Sequence, residues 1–141
     1  MSAATLALTL LDGRSRERIE DVSHVVAADA SGQFGLLPGH EPLVTVLEPG
    51  LFRYQRGGQQ EWSYAACAGG LLAVSRAAQG GTEVCLVSRR FLRGDTPEAL
   101  QSRLDELLER ETQLRLSTRE SREQLDLAFY RRMQQLAQAR P

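Results

Sequence analysis

Residues 82–100, TEVCLVSRRFLRGDTPEAL, hold two different patterns on either side of one point. Thr82 to Val87 is a short β-branched run of the kind that forms a strand. Beyond Gly94 and Pro97 there is neither glycine nor proline until Pro141, and apolar residues recur at helical spacing. The junction therefore separates strands before it from helix after it.

Upstream, short runs with an apolar residue at every second position alternate with glycine, proline or aspartate turns. Leu6, Leu8 and Leu10 alternate before Asp12-Gly13. Val22 to Ala28 reads as a second strand that ends at Asp29 to Gly32, and Leu43 to Leu47 as a third. Glu48-Pro49-Gly50 turns into Leu51-Phe52-Arg53-Tyr54, and Gly57-Gly58 makes a tight reversal. Glu61 to Ala66 then places Trp62, Tyr64 and Ala66 on one face. Leu71 to Ser75 and Thr82 to Val87 follow, with Gly80-Gly81 between them. Turn signals every 8 to 12 residues, with so little chain between them, predict a β-sandwich, because a flat small sheet would leave one apolar face wet.

Downstream, Asp95 is placed to cap a helix with Glu98 three residues on, and Pro97 is tolerated in the first turn, where its missing N–H costs nothing. Ala99, Leu100, Leu104, Leu107, Leu108 and Leu114 make one apolar stripe, and Leu125, Ala128, Phe129, Met133 and Leu136 a second. Between them the stripe lapses, and Ser117 with Glu120 offers another capping box. The pattern predicts an α-helical hairpin turning near Leu116 to Thr118, with its stripes facing each other. A single rod of about 40 residues would instead expose both stripes and need a partner to cover them. The expected organisation is a β-sandwich domain over residues 1–88, a connector over 89–95 and a helical hairpin over 96–141.

Composition narrows the function. With 17 basic and 18 acidic residues the formal charge is −1, so no uniform field steers the chain toward nucleic acid. All the basic residues are arginine. No stretch approaches the roughly 20 apolar residues of a membrane span, and residues 1–5 lack the pattern of an export signal, which makes the cytoplasm the expected compartment. Cys67 and Cys85 are spaced as small buried hydrophobes rather than as a metal pair. The Walker loop, the serine elbow and the paired-histidine zinc motif are all missing, so no enzyme chemistry and no cofactor are expected.

One segment is unusual: Gly32-Gln33-Phe34-Gly35-Leu36-Leu37-Pro38-Gly39-His40-Glu41-Pro42-Leu43-Val44-Thr45. Three glycines and two prolines in residues 32–42 suggest a rigid loop presenting Phe34, Leu36 and Leu37. Such side chains either bind a partner or close one end of the sandwich. His40 could titrate near neutral pH, although a loop histidine more often supplies an ordinary hydrogen bond.

This segment closely resembles the signature of the epsilon subunit of F-type ATP synthases, called delta in mitochondria. The resemblance extends to Gly69-Gly70-Leu71-Leu72-Ala73-Val74, the opening strand and Arg93-Gly94. It implies a ten-stranded β-sandwich followed by a helical hairpin, acting as a non-catalytic rotor piece of the central stalk. The implied partners are the gamma subunit and the polar loops of the c-ring, with the alpha/beta catalytic head as a further partner for C-terminal helices that extend and inhibit hydrolysis. The implied location is peripheral, at the cytoplasmic face of the membrane.

Carried onto this chain, the positions nearest the ring and gamma are Ser31, Gln33 and His40, with Phe34, Gly35, Pro38 and Gly39 shaping the loop. Gln33 stands where the family usually has glutamate. Glu98 and Gln101 depart from the pattern of relatives that bind ATP in the hairpin, so no ATP site is expected there. Ala68, Ala73 and the Ser88-Arg89-Arg90-Phe91-Leu92 connector also depart, in keeping with a divergent branch such as the alternate, sodium-associated class. A β-sandwich adaptor with a coiled hairpin in an unrelated assembly would share every physical feature except the segment signature.

Overall fold

The computed structural model describes residues 4–94 and 96–138. It contains nine strands and one helix among those residues: β1 (Leu6–Leu11), β2 (Arg16–Asp29), β3 (Gly32–Leu36), β4 (Leu43–Leu47), β5 (Gly50–Arg56), β6 (Trp62–Cys67), β7 (Gly70–Arg76), β8 (Thr82–Ser88), β9 (Phe91–Arg93) and α1 (Pro97–Gln138). The chain divides into two compact units, Met1–Asp105 and Glu106–Pro141.

In the first unit the strands run in the order β1-β8-β7-β4-β2-β5-β6-β9, with β3 paired to β2 and β1 also paired to β2. Only β1 and β8 pair in parallel; the other pairs are antiparallel. Strand β2 links the two layers of the β-sandwich. Its first half pairs with β1 and its second with β3 and β5. The change falls at an irregularity around Val22 to His24, next to Asp21, whose φ is 60°.

Alternation decides what is inside. Leu6, Leu8 and Leu10 of β1 point inward with Val84 and Leu86 of β8 and Leu72 and Val74 of β7; Val22, Val25, Phe52, Tyr54 and Ala65 meet them from the other layer. Leu8, Leu36, Leu72 and Leu86 are fully buried. Trimming any such leucine to alanine removes transfer energy and leaves a cavity, at a cost of about 2–5 kcal/mol.

The β-sandwich agrees with the sequence reading, and three local expectations are corrected. Residues 32–36 are not a loop: they form β3, in register with Val25–Asp29. Leu36 is fully buried and Phe34 packs against the core, so of the three residues expected at an apolar tip only Leu37 is exposed. Residues 91–93, expected within the connector, form β9 along β6.

The third correction concerns the helical hairpin. Residues 97–138 form one continuous α-helix. A lapse in the apolar stripe does not break a helix, whereas glycine or proline would, and the segment offers neither. Arg, Glu, Gln, Leu and Ala dominate it, all strong helix formers. Its surface adds pairs one turn apart, Gln101 Nε2 donating to Asp105 Oδ1 at 2.9 Å and Arg119 against Glu123 at 3.5 Å. The two stripes therefore do not face each other: Leu114, Leu125, Phe129, Met133 and Leu136 are all exposed.

Asp95, expected as the cap, lies outside the described residues. Thr96 caps the helix, its Oγ1 accepting from the Ala99 N–H at 3.2 Å. Within the first unit the opening turns are anchored by buried Leu100 and Leu104, and Arg103 Nη1 donates to the Arg93 carbonyl at 2.5 Å. Gly94 makes room there: a Cβ on it would sit 3.1 Å from Leu100.

Candidate functional site

Strand β3 separates the candidate residues into two places. Ser31 lies in the turn between β2 and β3, while Pro38, Gly39 and His40 lie in the loop leaving the other end of β3. Gln33, Phe34 and Gly35 are the strand between. Five residues at roughly 3.3 Å each put the two ends about 13 Å apart. The sequence pooled these residues because they are near neighbours along the chain; pairing β3 with β2 straightens the segment and sends them to opposite ends of the sheet.

At the first end Asp29 organises the turn. Its Oδ1 accepts from the Ser31 N–H at 2.8 Å and the Ser31 hydroxyl at 2.5 Å, and its Oδ2 accepts from the Thr45 hydroxyl at 2.8 Å. The Ser31 hydroxyl, the Thr45 hydroxyl and the Ser31 N–H hold the Asp29 carboxyl below the usual carboxylate range. Ser31 is thus committed to its own turn, and Gln33 is the exposed polar side chain at the start of β3. The register Asp29–Leu47–Gly70–Ser88 carries the same end across the sheet. An open groove of about 740 Å³ lies there, lined by Leu11, Gly13, Ala68, Gly70 and Val87 among others.

The opposite end is held differently. The Gly39 N–H donates to the buried Thr82 hydroxyl at 2.7 Å, the His40 N–H to the Leu37 carbonyl at 3.1 Å, and His40 Nδ1–H to the Glu41 carbonyl at 2.7 Å. Gly39 has φ +86°, a turn conformation that favours glycine. Gly35 is required for another reason. A Cβ there would lie 2.9 Å from His24 Nε2, so its bare Cα gives the imidazole its place beside Trp62.

The sequence reading missed a surface that the register assembles. Leu11 of β1 pairs with Val87 of β8, Val87 with Leu71 of β7, and Leu71 with Val46 of β4. These outward side chains, with Val44, form an aliphatic row across four strands, at 37%, 42%, 48%, 64% and 72% exposure from Leu11 to Val44. Contiguous aliphatic surface of this kind marks a contact site. The available signal was that β4, Leu43 to Leu47, is apolar at every position but one, the mark of a strand covered on both faces. Glu98 and Gln101 sit in the first turns of α1, where Gln101 is paired with Asp105.

The fold defines a β-sandwich domain with a C-terminal helix. Residues 6–79, more than half of the chain, match the family described as ATP synthase, Delta/Epsilon chain, beta-sandwich domain, and the chain belongs to that family. The "ATP synthase epsilon chain 2" of Cereibacter sphaeroides is 39% identical over 85 residues, covering 60% of this chain and 55% of that protein. The "ATP synthase epsilon chain" of Geotalea uraniireducens is 31% identical over 105 residues, covering 70% and 76%. The chain spans about half the length of several relatives it matches, including 51% of the Psychrobacter arcticus epsilon chain.

Among solved structures, a chain of the Euglena gracilis mitochondrial ATP synthase OSCP/F1/c-ring assembly aligns with a TM-score of 0.56 at 22% identity, over 75% of this chain and 65% of that one. At that identity the likeness is one of fold. No helix among the described residues is long and apolar enough to cross a membrane.

Proposed function

We propose that the chain is an epsilon-type, non-catalytic subunit of an ATP synthase central stalk, coupling rotation of the c-ring to ATP synthesis or hydrolysis through the gamma subunit. The observation that carries this reading is the aliphatic row Leu11–Val87–Leu71–Val46, together with Val44. Five exposed aliphatic side chains on one rigid sheet face are costly in water and become favourable once a partner covers them. In this reading gamma lies on that face and meets the Pro38–His40 loop, and the end carrying Ser31 and Gln33 meets the polar loops of the c-ring. Gln33 contributes a neutral hydrogen bond there, not a charge. Phe34 and Gly35 act from within β3 by fixing its packing.

The exposed helix positions Leu125, Phe129, Met133 and Leu136 supply an apolar stripe for the alpha/beta catalytic head, through which the helix restrains hydrolysis. The subunit works peripherally, at the cytoplasmic face of the membrane, without a nucleotide of its own. Copurification with tagged gamma tests this: the wild-type chain is expected to be retained and L71E/V87E lost. Failure of the wild-type chain to bind gamma and c-ring subunits would refute it.

A further inference from the structure

Strand β8 carries a buried hydroxyl at each end, Thr82 and Ser88, and its other inward positions are Val84 and Leu86. A hydroxyl among aliphatic side chains costs free energy unless it is hydrogen-bonded. The Ser88 hydroxyl donates to the Gly69 carbonyl at 2.7 Å. Thr82 instead accepts: the Gly39 N–H reaches its Oγ1 at 2.7 Å, from a loop 43 residues away in the chain.

The turn held in this way is well formed locally. Leu37, Pro38, Gly39 and His40 make a type II β-turn, with proline second, glycine third at φ +86°, and the His40 N–H closing on the Leu37 carbonyl at 3.1 Å. His40 Nδ1 bonds the adjacent Glu41 carbonyl. Those bonds shape the turn but do not place it. Leu37 and Gly39 are exposed, and Pro38 and His40 are only half-buried, so burial does little to fix the turn against the sheets. The bond from Gly39 to Thr82 supplies that placement.

We infer that Thr82 is a positioning residue, whose buried hydroxyl fixes the Pro38–His40 turn at a set distance from the aliphatic row so that one partner meets both. The spacing is built into β8. Thr82 holds the turn and Val87 belongs to the row, about 17 Å apart along a single strand. A turn that is already fixed has little freedom to lose on association, which raises affinity without adding a contact. This rests on the docking of gamma to the row and the turn proposed above; Thr82 itself is buried and acts through Gly39.

The test uses the full chain and the isolated gamma subunit, with T82V, T82A and T82S beside the wild type. Two quantities are read: hydrogen exchange of the Gly39 amide in the free chain, and affinity for gamma by titration calorimetry. T82V and T82A remove the acceptor, and are expected to speed Gly39 exchange roughly tenfold and to weaken gamma binding roughly tenfold. T82S keeps the hydroxyl and should stay within about twofold of the wild type in both. A packing role predicts the reverse order, since serine deletes a buried methyl and valine does not. Circular dichroism checks each fold, and T82A serves where valine disturbs it. Undiminished gamma binding by T82V and T82A, an equally protected Gly39 amide in them, or T82S as weak as T82V would each overturn the inference alone. Failure of the wild-type chain to bind gamma would overturn the docking reading and this inference together.

Discussion

The Asp29 carboxylate and the Thr45 hydroxyl, 2.8 Å apart, join the β2–β3 turn to the middle of β4. One short side chain thereby fixes the end of the sheet that presents Gln33, since its other oxygen holds Ser31. The relationship sets a pH dependence. Because these hydroxyls and the Ser31 N–H depress the folded-state pKa of Asp29, the stabilisation is complete above the unfolded carboxylate pKa and is lost as pH falls through the lower folded value. The turn is expected to hold at neutral pH and to loosen only below about pH 4. Amide exchange at Ser31 measured down the pH scale checks this, and D29N should show the loosened behaviour at pH 7.

Two glycines should respond very differently to alanine. A Cβ on Gly70, at φ +156°, would sit 1.9 Å from the Val87 carbonyl oxygen, a backbone atom that cannot move aside without breaking the β7–β8 pairing. G70A should cost about 3 kcal/mol in denaturant unfolding, at the upper end of ordinary point substitutions. At Gly35 the obstacle is the far end of the His24 side chain. G35A should cost less than about 1 kcal/mol, because a rotamer change relieves it, yet it should alter Trp62 fluorescence by displacing the imidazole. Equal destabilisation of both variants would contradict the geometry.

The helix makes a third test. Leu104 is buried, and L104A should cost roughly 2 kcal/mol or more. Leu114 and Phe129 are exposed, and alanine at either should change stability by no more than about 0.5 kcal/mol. Cysteines placed at Leu107 and Phe129 should resist short-range cross-linking, since 22 residues of unbroken helix separate them by about 33 Å. Efficient cross-linking in the isolated protein would restore the helical hairpin.

These contrasts show where the sequence was legible. The strands with clear alternation, such as Leu6-Leu8-Leu10, emerge near their observed bounds, because period-two burial is written directly in side-chain polarity. Strand β3 was hidden by Gly32 and Gly35, which lower strand propensity and look like loop residues; Gly35 is there for His24. Strand β9 is too short to display a period. In the helix, Ser117 and Glu120 imitate a start signal that only local backbone breaking would realise, and nothing breaks it.

The site was less legible than the fold because it depends on register. Ser31 and His40 are neighbours in sequence and occupy opposite ends of a sheet. Leu11, Val46, Leu71 and Val87 are scattered in sequence and form one row.

The aliphatic row is where stability and association should separate. L71E/V87E replaces two exposed side chains, so unfolding should shift by less than about 1 kcal/mol, whereas association with gamma should fall at least tenfold. A large loss of stability in this variant would show that the row is structural.

Titration calorimetry of the full chain against the isolated gamma subunit, wild type beside L71E/V87E, tests the central claim most directly. The expected result is one-to-one binding with the negative heat-capacity change of buried apolar surface, lost in the variant. Absence of binding by the wild-type chain, or undiminished binding by the variant, would contradict it.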